Sequence, residues 1–216
     1  MTMSMLKVNK FYKEGYDVWQ MPPDLNALLW SSIISETYNK HTVYKGIPTW
    51  SINNDMIAGS VDRVYDRATE QQMAKRSLEL VPKIYTDCIT NLFENDYYKE
   101  WFVNTCGYNW ELRFIDLWNG SDDLAWHWDG VEDHDIGFLI YFTEEPEWKT
   151  EWGSILKIGE RNYGEDEVNL LGEVVPSNGT IVLLNNMNPR FVHSVNPLKD
   201  ITRNRYTINA GISLWN

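Results

Sequence analysis

His127-Trp128-Asp129, followed far downstream by Phe191-Val192-His193-Ser194-Val195 and then by Arg205-Tyr206-Thr207, is the run on which the reading of this chain turns. The later two pieces are short and rich in β-branched and aromatic residues, which is strand composition. On a strand, residues two apart project to the same side, so His127 and Asp129 can reach one metal ion if they share one. Two imidazoles and a carboxylate form a facial ligand set that suits iron(II) and leaves three positions open. A guanidinium beyond the second imidazole provides a fixed fork for the far carboxylate of a keto-diacid. The fold must therefore bring early and late strands together at one point.

Around these segments the second half of the chain reads as β. Trp110 to Trp118 alternates, with a turn signal at Asn119-Gly120-Ser121. An apolar run from Asp135 to Phe142 ends at Glu144-Glu145-Pro146. Further strands are expected at Ser154 to Ile158, Thr180 to Leu184, Phe191 to Val195 and Tyr206 to Leu214, with Glu160 to Gly172 as a charged excursion. Many short strands at this spacing argue for a sandwich or barrel. The first half reads as mixed or helical. Phe11 to Met21 is expected to be extended, followed by a helix from Leu25 to about Tyr38 with Asp24 as N-cap. Lys45 to Val64 reads as a loop or hairpin. Thr69 to about Asn95 carries helical periodicity, broken or kinked near Pro82.

The 216 residues suit one domain, residues 1–216, with a helical and loop support region at 1–107 and the β core at 108–216. Tryptophan (11), tyrosine (12) and phenylalanine (7) are abundant, which suits a β-rich body with a partly apolar cleft, although packing accounts equally for many of these rings. Net charge is −12, and twelve of the acids fall between Glu111 and Glu151 against only Arg113 and Lys149. An acidic rim disfavours a nucleic-acid substrate, whose binding rests on neutralising phosphates, and favours a neutral or cationic one; a solvated acidic face is the rival reading. Cys88 and Cys106 form no CxxC or zinc pattern, as expected for reduced thiols. Met1 to Lys10 lacks a signal-peptide apolar stretch and no run of about 18 apolar residues occurs, so the expectation is a cytoplasmic protein without a membrane span.

The order of these pieces resembles the Fe(II)- and 2-oxoglutarate-dependent dioxygenases, in particular the prolyl 4-hydroxylase-like branch. The matching stretches are HWD at 127–129, LIYF at 139–142, WGSIL at 152–156, PSNGTIVLL at 176–184, FVHSVNP at 191–197 and NRYTIN at 204–209. They run from about Trp110 to the C-terminus. The resemblance implies an α+β chain that is mainly β, its double-stranded β-helix (jelly roll, cupin-like) packed by helices. It implies His127, Asp129 and His193 as iron ligands and catalytic residues, with Arg205, Tyr141 and Thr207 on the distal carboxylate of 2-oxoglutarate. Arg203 is the alternative to Arg205. A core aromatic is the rival role for Tyr141, and a plain strand former that for Thr207. His41 and His134 are read as non-ligands, His134 as a solvated or loop histidine. Trp118, Trp126, Trp128 and Trp152 line either the cleft or its hydrophobic wall.

The implied cofactors are Fe(II), 2-oxoglutarate and O2, with ascorbate as a candidate reductant. The implied chemistry is oxidative decarboxylation of 2-oxoglutarate coupled to hydroxylation of a peptide side chain. A free amino acid or small metabolite is the alternative substrate, and a non-catalytic jelly-roll binding module the alternative class. The carboxylate at 129 favours hydroxylation over halogenation, because halogenating relatives replace it to admit chloride. Lys45 to Arg76, with Arg63, Tyr65 and Arg67, occupies the place where relatives carry a loop over the substrate, or is a plain connector. Two departures are Gly153-Ser154 for a frequent Gly-Gly pair, and Leu117-Trp118 where a tyrosine is common. Neither partner chains nor oligomeric state can be read from these residues.

Overall fold

The computed structural model describes residues 10–37, 42–44, 47–49, 83–106, 110–119, 124–130, 134–162, 164, 166–200, 203 and 205–214. His41, most of Lys45 to Val64, Arg63, Tyr65, Arg67 and the span from Thr69 through Pro82 lie outside them. Two antiparallel sheets make the body. The larger has the order β1 (Tyr16–Gln20), β9 (Thr180–Asn185), β6 (Ile136–Thr143), β11 (Arg205–Leu214), β4 (Trp110–Asn119). The smaller has the order β5 (Leu124–His127), β10 (Phe191–Val195), β7 (Leu156–Glu160), β8 (Asn169–Val174). Neighbours in space are distant in sequence, which gives the interleaved connectivity of a jelly roll.

Alternation along the central strands explains how both faces of the larger sheet are filled. Ile136, Phe138, Ile140 and Phe142 of β6, with Ile181, Leu183, Tyr206, Ile208, Ala210 and Ile212, join a core shared with the helices. The intervening Leu139, Tyr141, Val182 and Leu184 face the smaller sheet and meet Leu156, Ile158, Val174 and Val195. A sheet covered on both sides needs apolar residues at consecutive positions, so β6 and β9 read as continuous hydrophobic runs.

The helices supply the outer cover. In α1 (Pro23–Thr37) the first helical bond runs from the Asn26 N–H to the Pro22 carbonyl. Pro22 is therefore the N-cap, and Asp24, expected there, sits inside the first turn where its charge complements the helix dipole. Below it lie α2 (Lys83–Glu94), which follows Pro82 directly, and α3 (Asp96–Cys106), which the sequence reading did not separate from its surroundings. Much of the aromatic content resides here. Trp19 meets Trp101 edge-on at 5.0 Å, Phe11 meets Trp101 at 5.1 Å, and Phe93 meets Phe138 at 5.0 Å. Such pairs add to area burial by favourable ring electrostatics.

Three expectations are corrected. Phe11 to Met21 is not wholly extended: residues 10–14 are helical, and the strand begins only at Tyr16. The helix ends on Gly15, with φ +80, whose N–H closes on the Phe11 carbonyl, and a Cβ there would collide with the Phe191 ring. The charged excursion conceals the start of β8, an edge strand whose exposed residues are Asn169, Leu170 and Glu173. The early hairpin, β2 (Thr42–Tyr44) with β3 (Ile47–Thr49), starts ahead of Lys45. No helix among the described residues is long and apolar enough to cross a membrane.

Phe138 is fully buried between sheet and helices. Phe138→Ala is expected to lower the unfolding free energy by about 3–5 kcal/mol, measured by urea titration.

Candidate metal centre and cosubstrate pocket

β5 and β10 are antiparallel partners in which His127 stands directly opposite His193. The two rings lie 4.1 Å apart at an angle of 58°. A ladder thus joins histidines that are far apart in sequence. Asp129 arrives differently from expectation. β5 stops at His127, and residues 128–130 form irregular backbone ending at Gly130 with φ +86. Irregular backbone past the strand end, rather than the ladder itself, carries the carboxylate. Its Oδ1 is 3.5 Å from His127 Nε2 and its Oδ2 is 3.5 Å from His193 Nε2. One ligand atom from each of the three residues lies within 4.8 Å of the others.

The protonation states suit a cation. His127 Nδ1 lies 2.7 Å from the Ala125 carbonyl. A carbonyl only accepts, so Nδ1 carries a proton, and Nε2 is the ring nitrogen turned toward Asp129. Burial pushes His193 down to about 4 against the pull of Asp129, so its imidazole is neutral at physiological pH. For Asp129 burial works in the opposite direction. The His127 hydrogen bond and the neighbouring imidazoles outweigh it and hold the carboxyl well below its usual range. Two imidazoles and an ionised carboxylate, brought together by β5, the segment after it and β10, are a donor set that fits iron(II).

A second polar group lies inside the body of the jelly roll. On β11, Arg205 and Thr207 face inward, opposite Thr143 and Tyr141 of β6 in register. The Arg205 guanidinium stands 5.6 Å from the centre of the Tyr141 ring. All three residues are buried. Arg205 Nε and Thr207 Oγ1 are buried without a hydrogen-bond partner. Burial also disfavours the Arg205 charge, with Tyr141 opposing, and raises the Tyr141 phenol to about 12, so that it stays protonated. A buried cation, a phenol and a hydroxyl with donors to spare match the tail of an anionic ligand. Tyr141 is also a core aromatic, packed among the inner residues, so its two readings are compatible.

Several sequence readings change here. Arg203 does not share a strand face with Arg205, because β11 begins at 205. It pairs instead with Glu145 at 2.5 Å and Asp200 at 3.5 Å, over the Trp152 ring at 4.4 Å. His134, read as a solvated or loop histidine, does lie outside any strand but is 5% exposed, with Nε2 3.9 Å from Asp129 Oδ2. Only its neighbour Asp135 at the head of an apolar run hinted that the segment is anchored. Trp128 donates its indole N–H to the Asn186 carbonyl at 2.9 Å, and Trp152 packs edge-on against Trp148. Trp126 is half-buried, and Trp118 is the register partner of Thr207. The acidic stretch also divides. Glu144, Glu145, Glu147 and Glu151 follow the far end of β6, more than about 20 Å along the strand from the end next to His134.

Residues 115–213 match the family model of the 2OG-Fe(II) oxygenase superfamily. No curated protein matches the chain in sequence. Among solved structures, a Pseudomonas putida prolyl-4-hydroxylase is 14% identical with a TM-score of 0.57, covering 99% of this chain and 100% of that one. A Trichoplax adhaerens prolyl hydroxylase, solved with a hypoxia inducible factor oxygen degradation domain peptide fragment, is 13% identical (TM-score 0.55, 98% of this chain and 89% of that one). The non-heme alpha ketoglutarate dependent epimerase SnoN from nogalamycin biosynthesis is 11% identical (TM-score 0.61, 96% and 81%). At such identities these likenesses carry the fold. The family match adds that residues 115–213, the greater part of the β core, are similar to the 2OG-Fe(II) oxygenase superfamily.

The unpartnered Thr207 hydroxyl costs stability when no ligand is present. Thr207→Val is therefore expected to leave the ligand-free protein as stable as the parent or up to about 1 kcal/mol more stable by urea titration.

Proposed function

We propose that this chain is an Fe(II)- and 2-oxoglutarate-dependent hydroxylase in which His127, Asp129 and His193 hold the metal and Arg205, Tyr141 and Thr207 hold the cosubstrate. The observation that carries the reading is the meeting of those three ligand atoms within 4.8 Å. The bound iron, with 2-oxoglutarate and dioxygen, supplies an oxidant able to attack an unactivated C–H bond. The protein's own part is geometric. His127 and His193 offer ring nitrogens, and Asp129 offsets the charge of the cation. Arg205 forks onto the distal carboxylate while Tyr141 and Thr207 donate hydroxyls to it. The apolar inner wall around Leu139, Leu156, Val182 and Val195 excludes water from that tail.

Arg203 is assigned no cosubstrate role, since Glu145 and Asp200 already engage it. A binding module without catalysis needs neither an ionised carboxylate between two imidazoles nor a buried arginine with an unused donor, which favours the enzyme. A peptidyl side chain is the preferred substrate, supported by likeness to the two prolyl hydroxylases. A small metabolite is the second reading, favoured by the likeness to SnoN.

Anaerobic addition of Fe(II) and 2-oxoglutarate is expected to produce a visible metal-to-ligand charge-transfer band. His127→Ala should abolish it, and a band that survives that substitution would refute the assigned ligands. Arg205→Ala is expected to weaken 2-oxoglutarate about 100-fold by calorimetry, the loss of charged hydrogen bonds worth about 3 kcal/mol. Arg203→Ala should stay within about threefold of the parent, and the reverse ranking would exchange the two roles. Succinate release against proline-containing peptides, compared with free amino acids, chooses between the substrate classes.

A further inference from the structure

We propose that His134 is a positioning residue for Asp129, part of a buried frame that holds the carboxylate toward the two imidazoles without itself taking the metal. The inference rests on the reading that His127, Asp129 and His193 bind iron. Asp129 needs such support because it lies past the end of β5, on backbone that no ladder restrains. A carboxylate on irregular backbone has rotational freedom that a strand residue lacks, and a metal site loses affinity when a ligand must be ordered on binding.

His134 supplies the back wall. It is nearly as buried as any residue of the core, and its Nε2 faces Asp129 Oδ2 at 3.9 Å, the oxygen that also faces His193. At that distance the contact is one between a dipole and a charge rather than a hydrogen bond. The group of ligand atoms that share one centre consists of His127, Asp129 and His193, and His134 stands outside it.

The next residue anchors His134. The Asp135 N–H donates to the Ile212 carbonyl at 2.9 Å, and its Oδ2 accepts the Leu214 N–H at 2.6 Å. Its carbonyl accepts the Asn186 N–H at 3.0 Å. Asn186 is itself buried, and its carbonyl accepts the Trp128 indole N–H at 2.9 Å. One residue after β9 therefore ties the segment carrying His134 to the residue just before Asp129. The carboxylate is gripped from both sides through this joint.

The test is anaerobic Fe(II) titration of the full chain, followed by intrinsic tryptophan fluorescence and calorimetry. The variants are His134→Phe, which keeps a ring but no N–H, and His134→Gln, which restores an N–H donor. His134→Phe is expected to bind Fe(II) 10- to 100-fold more weakly, the usual range for supporting residues at metal sites, and His134→Gln to lie within about threefold of the parent. Trp128→Phe, which deletes only the indole donor to Asn186, should weaken Fe(II) several-fold and stands in if the ring substitution fails to fold. Unchanged affinity in His134→Phe, equal losses in the Phe and Gln variants, or unchanged affinity in Trp128→Phe when it alone is measurable would overturn the role. If the parent fails to bind Fe(II), or His127→Ala binds it undiminished, the metal-site reading itself falls and takes this inference with it.

Discussion

The pairing of β5 with β10 is the constraint on which the rest depends. Because side chains alternate along a strand, a slip of one residue in that ladder would turn His193 away from His127 and dissolve the centre. The register is defended from the other side. β10 also pairs with β7 along its whole length, and its apolar residues belong to cores that tolerate no displacement toward solvent. The short β5, by contrast, has exposed residues at its outer end and gains its place from β10 alone in its sheet.

The interior of the jelly roll reconciles two demands that ordinarily conflict. A tightly packed core is apolar, yet an anionic cosubstrate requires charge within reach. The larger sheet resolves this by position along β11: Tyr206, Ile208, Ala210 and Ile212 face the helices while Arg205 and Thr207 face inward beside Tyr141. Arg205 Nε and Thr207 Oγ1 are buried without a partner in the protein, which supports the anion site we propose there. Arg203, two residues earlier, satisfies its charge at the surface through Glu145, Asp200 and the Trp152 face.

How much could be read in advance depended on the range of the forces involved. β10 and β11 were legible to within a residue, because composition and alternation are local properties. The helix after Pro22-Pro23 was legible too, while its cap was not, since a one-residue offset depends on which carbonyl accepts the first bond. β8 was hidden because it follows a charged stretch directly and, as an edge strand with Asn169, Leu170 and Glu173 exposed, shows no clean alternation. For His134 the loop placement was legible and the burial was not, for the converse reason. Flanking acids suggest solvent, whereas Asp135 spends its carboxylate on the end of β11 and draws its neighbour inward.

By itself the sequence determined the chemistry available: two imidazoles, a carboxylate and a guanidinium in an order that resembles one enzyme superfamily, on segments whose alternation demands β structure. Only the tertiary structure decided which arginine faces inward, that Asp129 lies past the end of β5, and that a third imidazole stands 3.9 Å from its carboxylate. Those outcomes turn on contacts between residues distant in the chain. Burial and register are properties of the assembled sheets, and no local pattern encodes them.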